Sequence, residues 1–217
     1  MLPSPETFAD KVGKLGINRA SHVICYDNNG GAMAAMRVFW TFKVFGHEKV
    51  SVLNIDFNNW KAQGYTIESD DPNTVPVSYK GATFNSTLVR TLAQVLNNLN
   101  TGSEYFVDAR SPGRFNATEL EPRAGLRGGH IPGSLNLPFQ ELLKADNTMG
   151  IKSAKDLEAI ILDADLAPSK PIISSCGSGV TAAVLYFALY LLGHDTVAIY
   201  DGSWTEWGGR KDTPVEQ

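Results

Sequence analysis

The sequence predicts an α/β fold in which a parallel sheet is flanked by helices. Short runs rich in β-branched and aromatic residues alternate along the chain with helix-like stretches; these runs are VICY, SVLN, YFVDA, PIISS and TVAIY. Strands that alternate with helices in this way form parallel sheets. Hydrophobic residues make up 43% of the 217 positions, which is enough to build a core and argues against disorder.

An internal repeat is the third observation behind this prediction. Residues 4–27 and residues 153–176 follow one pattern over the same length. Each segment opens with a serine that can cap a helix, continues through a helix-like stretch and a polar break, and ends in an apolar strand. The pattern predicts a duplication in which Asp27 stands where the second copy has Cys176.

The two copies differ in what comes before them. Residues 104–139 supply a strand, a loop and another strand ahead of the second copy, whereas only three residues precede Ser4. We therefore expect residues 1–69 to form a partial domain and residues 83–217 to form the complete one. Residues 70–82 are rich in turn formers and are predicted to be the linker.

Composition excludes several functional classes. The net charge is -4 and no run of Lys or Arg occurs, so nothing indicates nucleic-acid binding. The longest apolar run, near residues 182–193, is too short to span a bilayer. The N-terminus lacks the features of a signal peptide. We expect a cytoplasmic protein without membrane partners, and a mitochondrial location stays open if a further N-terminal segment exists.

The two cysteines lie in different settings. Cys25 lies in a β-branched run and is expected to be a buried strand thiol. Cys176 opens the bend CGSGVT between a strand and an apolar helix. Such a bend turns backbone N–H groups and the positive end of the helix dipole toward one point, which favours a thiolate or a persulfide anion. A disulfide framework is not expected from two cysteines.

The bend also fits a cysteine-dependent phosphatase, which uses a similar strand–loop–helix site. Such an enzyme needs an arginine six residues after the cysteine to hold phosphate. Ala182 occupies that position, and the bend is short for a phosphate. We therefore reject the phosphatase interpretation.

Four motifs together resemble the tandem-domain sulfurtransferases of the rhodanese family, and within it the 3-mercaptopyruvate sulfurtransferase branch. They are DAR at 108–110, GHIPG at 129–133, CGSGVT at 176–181 and YDGSW at 200–204. The resemblance implies two rhodanese-like domains, the first inactive with Asp27 at the cysteine position. It also implies that roughly the first half of that domain, with the groups it adds to the active cleft, is not represented. We therefore expect slower mercaptopyruvate turnover than in a full-length relative.

The loop residues suggest how a sulfur donor is bound. Rhodanese-type loops for the thiosulfate dianion carry basic residues, whereas this loop has none. In the mercaptopyruvate branch, arginines in the contexts of Arg114 and Arg123 hold the substrate carboxylate, and an arginine fork suits a planar carboxylate. Arginines in a long loop are otherwise usually solvated. Backbone groups at the following positions complete the predicted substrate site: Gly177, Gly179, Val180 and Thr181.

The resemblance implies double displacement through a covalent intermediate. The Cys176 thiolate takes sulfur from 3-mercaptopyruvate and releases pyruvate, with Ser178 as a candidate for polarising the ketone or relaying a proton. The persulfide then passes sulfur to a thiol such as thioredoxin, or to cyanide. No cofactor or metal is expected, since the four histidines show no ligand-like clustering. Two alternatives stay open: a thiosulfate sulfurtransferase, and a persulfide carrier or interaction module without turnover.

Overall fold

The structure is a computed structural model, and it describes residues 1–28, 33–145, 150–166 and 170–217. The chain divides into two compact units. The first unit comprises Leu2–Ser86 with Lys144–Gly150, and the second comprises Thr87–Leu143 with Ile151–Gln217, together with Met1. The division into a partial domain, a linker and a complete domain stays a prediction.

The first unit carries its elements in the order α1 (Pro5–Lys14), β1 (Val23–Cys25), α2 (Met33–Val44), β2 (Val50–Val52) and α3 (Phe57–Ala62). Ser4 caps α1 as predicted, since its hydroxyl accepts a hydrogen bond from the Thr7 N–H at 3.2 Å. The strands β1 and β2 are parallel, and Ile24 is paired with Ser51.

An aromatic cluster forms the core of the first unit. Trp40 of α2 is fully buried, and Phe8 of α1 stacks on Phe45 with ring centroids 4.3 Å apart. Tyr79 also packs edge-on against Phe8 at 5.5 Å, and its hydroxyl is 2.9 Å from Nδ1 of the buried His47. Tyr79 lies in the segment predicted as a linker, so part of that segment packs into this core.

The opposite side of β1 is open to solvent. Ile24 and Tyr26 are 57% and 56% exposed, and they line a groove with Leu53, Phe57 and Trp60, among others. Cys25 lies between them in the strand and is buried, as predicted. This alternation is the pattern of a strand that is covered on one face only.

The second unit has five strands and five α-helices in its described residues. In chain order they are β3 (Val89–Arg90), α4 (Leu92–Thr101), β4 (Tyr105–Asp108), α5 (Pro112–Phe115), β5 (Leu135–Asn136), α6 (Ala154–Asp163), β6 (Ile172–Ser175), α7 (Ala182–Leu191), β7 (Val197–Tyr200) and α8 (Ser203–Trp207). The strands form one parallel sheet in the order β3-β7-β6-β4-β5. The predicted α/β fold with a parallel sheet flanked by helices is confirmed.

The central strand and the helix that follows it form the interior of this unit. Ile173 of β6 lies between Phe106 of β4 and Ala198 of β7, and it has no exposed surface. Eight consecutive residues of α7, Ala182 to Leu189, are buried, so this part of the helix is covered on all sides, whereas Tyr190 and Leu191 at its end are exposed. No helix in the described ranges combines the length and the apolar character needed to cross a bilayer.

Both units pair their strands in the same register. When Asp27 is aligned with Cys176, Ile24 corresponds to Ile173. The stretch that follows is two residues longer in the first copy, measured to Gly46 and Gly193, so Ser51, which pairs with Ile24, corresponds to Ala198, which pairs with Ile173. The helices α1 and α6, which precede these strands, are both capped by a serine hydroxyl. The duplication itself stays a prediction, and the common register is consistent with it.

These two isoleucines provide a matched pair for measuring stability. We expect Ile173→Ala to cost about 2–5 kcal/mol, because it removes buried methyl groups and leaves a cavity. The equivalent Ile24→Ala should cost less than about 1 kcal/mol, because that side chain is largely in water. Urea unfolding followed by tryptophan fluorescence measures both. Equal losses would show that Ile24 is as well packed as Ile173.

Candidate active site

Cys176 lies immediately after the last residue of the central strand β6, at the carboxyl edge of the sheet. Asp108 and Tyr200 end the neighbouring strands β4 and β7 at the same edge. Ligands of open parallel sheets bind at this edge. Residues 176–181 form the loop from β6 to α7 and are called the sulfur loop below. The Cys176 residue is only 2% exposed, at the start of this loop.

The short helix α8 holds the carbonyl groups of the sulfur loop. The Trp204 N–H donates to the Cys176 carbonyl at 2.9 Å, and the Thr205 N–H and hydroxyl both donate to the Gly177 carbonyl, at 2.9 and 2.7 Å. The N–H and C=O groups of a trans peptide point in opposite directions. The amides of Gly177 and Ser178, which belong to these two peptide units, therefore point away from α8.

The amide of Cys176 is fixed separately. It donates to the hydroxyl of Ser203 at 3.3 Å, and this hydroxyl donates to the Tyr200 carbonyl at 2.8 Å. Ser203 is completely buried and has a positive φ of 49°, an uncommon backbone conformation for serine. The turn after β7 therefore adopts a strained conformation at the point where it contacts the sulfur loop.

Gly179 supplies a hydrogen bond to the sulfur itself. Its N–H donates to Cys176 Sγ at 3.1 Å. Its φ is 79°, in the left-handed region where a residue with a Cβ is strained. The glycine therefore allows the chain to fold back so that an amide donor reaches the sulfur, which is the geometry of a small anion-binding nest.

Four charged side chains form a row beside this loop. The buried Arg110 binds Asp108 through Nη2 at 2.6 Å and Glu121 through Nη1 at 2.8 Å. Glu121 in turn binds Arg114, with Nε at 3.0 Å from Oε1 and Nη2 at 2.7 Å from Oε2. Arg110 also lies 4.3 Å from the ring centroid of Trp204. The charges alternate in sign along the row, so each buried group has an oppositely charged neighbour.

The row ends against the sulfur loop. A Cβ added to Gly177 would lie 2.8 Å from Arg114 Nη2, so the absence of a side chain at position 177 allows the guanidinium to approach the backbone this closely. Burial opposes the charge on Arg114, but the hydrogen bonds and charge of Glu121, with the charges of Asp108 and Cys176, raise the pKa of the guanidinium. Arg114 therefore stays cationic beside the loop.

Comparison with known proteins identifies this arrangement. Residues 91–210 match the profile of the rhodanese-like domain, and this range contains the sulfur loop and all four members of the charged row.

The chain belongs to the rhodanese family. It is 46% identical over 221 residues to the thiosulfate sulfurtransferase of Rattus norvegicus, an alignment that covers 100% of this chain and 73% of the rat protein. It is 43% identical over 216 residues to the 3-mercaptopyruvate sulfurtransferase of Escherichia coli K12, covering 100% of this chain and 75% of the bacterial protein. The crystal structure of the 3-mercaptopyruvate sulfotransferase SseA from Escherichia coli superposes with a TM-score of 0.82 at 40% identity, over 94% of this chain and 74% of that one.

In this rhodanese-family chain, the structure brings only some of the predicted site residues to the sulfur loop. Cys176, Ser178 and Arg114 lie at or against the sulfur loop, whereas Arg123 is exposed, and no hydrogen bond or ion pair joins it to another described residue. Val180 is 37% exposed. The roles predicted for these residues, and for Gly177, Gly179 and Thr181, stay predictions.

Other side chains around the rhodanese site have clear structural roles. Asp108 and Arg110 form an ion pair in which both side chains are buried. The ring of His130 is stacked on that of Phe115, with ring centroids 3.6 Å apart, and its Nδ1 is 2.9 Å from the Phe115 carbonyl oxygen, so His130 fixes the local turn.

Within the described ranges, no group of three or more His, Cys, Asp or Glu could hold a metal ion.

Sequence reasoning missed Glu121. It lies two residues before Arg123 in the motif EPR, and a glutamate in a long loop is ordinarily solvated. The available signal was local composition: two glutamates, Glu119 and Glu121, lie between the arginines at positions 114 and 123. Its contact with Arg110 depends on tertiary structure, which the sequence pattern does not reveal.

Asp27 occupies a comparable position in the first unit. Its carboxylate accepts hydrogen bonds from the amides of Ala34 and Ala35, at 3.1 and 3.4 Å, in the first turn of α2. A fixed carboxylate at a helix N-terminus is electrostatically favourable. The nearby thiol of Cys25 is not activated, because desolvation raises its pKa to about 11.

The contact between Gly177 and Arg114 can be measured with a double-mutant cycle. We expect Gly177→Ala to destabilise the protein by about 1–3 kcal/mol, because the added methyl group overlaps the guanidinium. In an Arg114→Ala background the same change should cost less, since the overlapping group is gone. Urea unfolding of the four proteins gives the coupling energy, and strictly additive effects would contradict the contact.

Acid should weaken the interaction made by Glu121. Burial raises the pKa of this carboxyl, but the hydrogen bonds and charges of Arg114 and Arg110 outweigh it and hold the pKa below the usual value. The stabilisation is therefore complete above an unfolded-state pKa of about 4.3 and is lost as the pH falls through the lower folded-state pKa. The stability gap between wild type and Glu121→Gln should be largest near neutral pH and shrink below about pH 4; a constant gap would contradict this.

Proposed function

We propose that this rhodanese-family sulfurtransferase takes sulfur from 3-mercaptopyruvate as a persulfide on Cys176 and passes it to a thiol or to cyanide. The observation that carries the proposal is the geometry of the sulfur loop. Helix α8 binds the loop carbonyls, the Gly179 amide donates to Sγ, and the Arg114 guanidinium lies against Gly177. Fixed donors and a nearby cation favour a thiolate and would equally hold a terminal persulfide anion.

The first half-reaction forms the persulfide. The Cys176 thiolate attacks the sulfur atom of 3-mercaptopyruvate, an S–S bond forms, and the C–S bond breaks. The electron pair of the broken bond leaves as the pyruvate enolate, which takes up the proton released from the donor thiol to give pyruvate. In the second half-reaction an acceptor thiolate, such as that of thioredoxin, or cyanide attacks the outer sulfur, and the Cys176 thiolate is regenerated.

Arg114 is the group best placed to bind the donor carboxylate. Its side chain retains 22% exposure, and Glu121 engages Nε and Nη2, so Nη1 can donate to a ligand. Arg123 is proposed as the second carboxylate ligand, because its exposed side chain is unconstrained by partners in the described structure. We propose that Ser178 polarises the ketone, since its hydroxyl makes no hydrogen bond within the described residues. The backbone of Gly177, Gly179, Val180 and Thr181 completes the site.

The first unit is proposed to be a catalytically silent copy of the same domain. This rests on the common strand register and on Asp27, whose carboxylate is held at the start of α2 where the second unit has the sulfur loop. A carboxylate cannot form the persulfide that the reaction requires, so sulfur transfer is assigned to the second unit alone.

Thiosulfate is the second candidate donor. The rat relative is a thiosulfate sulfurtransferase, and thiosulfate also delivers one sulfur atom to a cysteine thiolate. The sulfur loop carries no Lys or Arg, which favours a donor with a single charge over a dianion. This is the reason 3-mercaptopyruvate is preferred here.

Intact-mass spectrometry tests the proposal directly. After incubation with 3-mercaptopyruvate and before addition of an acceptor, the wild-type chain should gain one sulfur and release pyruvate. Cys176→Ser should gain none, because the nucleophile is absent. Cys25→Ser should gain sulfur like the wild type, since the raised pKa of that thiol keeps it protonated.

A parallel incubation with thiosulfate separates the two donors. Loading from 3-mercaptopyruvate with at least about tenfold higher kcat/KM than from thiosulfate is expected. Faster loading from thiosulfate would overturn the choice of donor but not the role of Cys176. Loading only from a partner persulfide would show a carrier instead of an enzyme, and a sulfur gain that survives Cys176→Ser would overturn the proposal.

A further inference from the structure

Glu121 is the link between the buried core and the sulfur loop. Its side chain is 2% exposed, and its two oxygens accept three hydrogen bonds from two arginines. Arg110, the more deeply buried of the two, is also fixed by Asp108 and by the Gly129 carbonyl at 2.8 Å. The position of Glu121 is therefore set by a rigid partner on one side, and Glu121 in turn determines the position of Arg114.

The way in which Glu121 binds Arg114 leaves a particular edge of the guanidinium available. The carboxylate takes the side edge formed by Nε and Nη2. A guanidinium has five N–H donors in a fixed fork, so the end edge formed by Nη1 and the second Nη2 hydrogen is not occupied by Glu121. The same Nη2 atom is the one that lies against Gly177.

The row is also electrically balanced. Asp108 and Glu121 contribute two negative charges, and Arg110 and Arg114 contribute two positive charges. Arg114 therefore acts on the sulfur loop as a directed donor whose positive field is largely compensated from behind. Without the Glu121 charge, the same group would present an uncompensated cation to any anion bound at Cys176.

We infer that Glu121 is a positioning and specificity-determining residue, which orients the end edge of Arg114 toward the sulfur loop and limits the positive field there to suit a singly charged donor. This inference rests on the proposed function, because it assigns selectivity between a monoanionic carboxylate and the thiosulfate dianion. A residue of this kind acts through Arg114 and does not contact the donor.

Alkylation of Cys176 measures the electrostatic potential at its sulfur atom, and no sulfur donor is needed. Iodoacetate is anionic and iodoacetamide is neutral, so the ratio of their rates reports the local potential. Glu121→Gln keeps the side-chain volume and removes the charge, and we expect the iodoacetate-to-iodoacetamide ratio to rise about threefold to tenfold. The control is Glu119→Gln, which removes an exposed charge hydrogen-bonded to Ser111 and should leave the ratio unchanged. Rates are measured in the Cys25→Ser background, so that Cys176 is the thiol that reacts.

Donor kinetics then test selectivity. Glu121→Gln should raise kcat/KM for thiosulfate relative to 3-mercaptopyruvate by about fivefold or more, because a dianion gains more from the added positive field than a monoanion. Glu121→Asp keeps the charge but is one methylene shorter, so it separates orientation from field. It should leave the alkylation ratio near wild type and raise KM for 3-mercaptopyruvate several-fold, with a smaller effect on kcat.

The outcomes are distinct. An unchanged alkylation ratio in Glu121→Gln would show that Glu121 does not limit the positive potential at Cys176. An unchanged KM for 3-mercaptopyruvate in Glu121→Asp would show that Glu121 does not orient Arg114. The second variant decides the question if Glu121→Gln does not fold. Failure of the wild type to load sulfur from 3-mercaptopyruvate would overturn the proposed function. The alkylation ratio would still decide the role of Glu121 in that case.

Discussion

The hydrogen bonds from α8 to the carbonyls of Cys176 and Gly177 are the constraint on which the site depends. A loop that leaves a strand at the carboxyl edge of a sheet can turn its peptide groups in several directions. When two successive carbonyls are bound on one side, the corresponding amides face the other side. The polarity of the loop is therefore set by residues almost thirty positions later in the chain, and the Gly179 amide donates to the sulfur.

The charged row has a related structural function. A fully buried arginine such as Arg110 is unfavourable unless every donor finds an acceptor. Here Asp108, Glu121 and the Gly129 carbonyl accept its hydrogen bonds, and its planar face lies on Trp204, whose N–H donates to the Cys176 carbonyl. The helix that binds the loop carbonyls and the charges that extend toward Arg114 thus meet at one side chain. Disturbing Arg110 would affect both.

Much of the fold could be predicted from the sequence, because it depends on local patterns. The β-branched runs became strands, the serines at positions 4 and 153 became helix caps, and the cysteine bend lies between β6 and α7. The ion pair of Asp108 with Arg110 could also be predicted from the sequence, since the two residues are two positions apart. What could not be predicted depends on distant segments: the contact of Thr205 with Gly177, the buried position of Glu121, and the packing of Tyr79 into the core of the first unit.

Every group described above as binding or orienting Cys176 lies between Asp108 and Thr205, and each of these groups belongs to the second compact unit. The residues that act on the Cys176 sulfur therefore form a single module that can be inherited as a whole. In the duplication proposed above, a difference in the first unit such as Asp27 leaves every donor, charge and peptide orientation around the reactive sulfur unchanged.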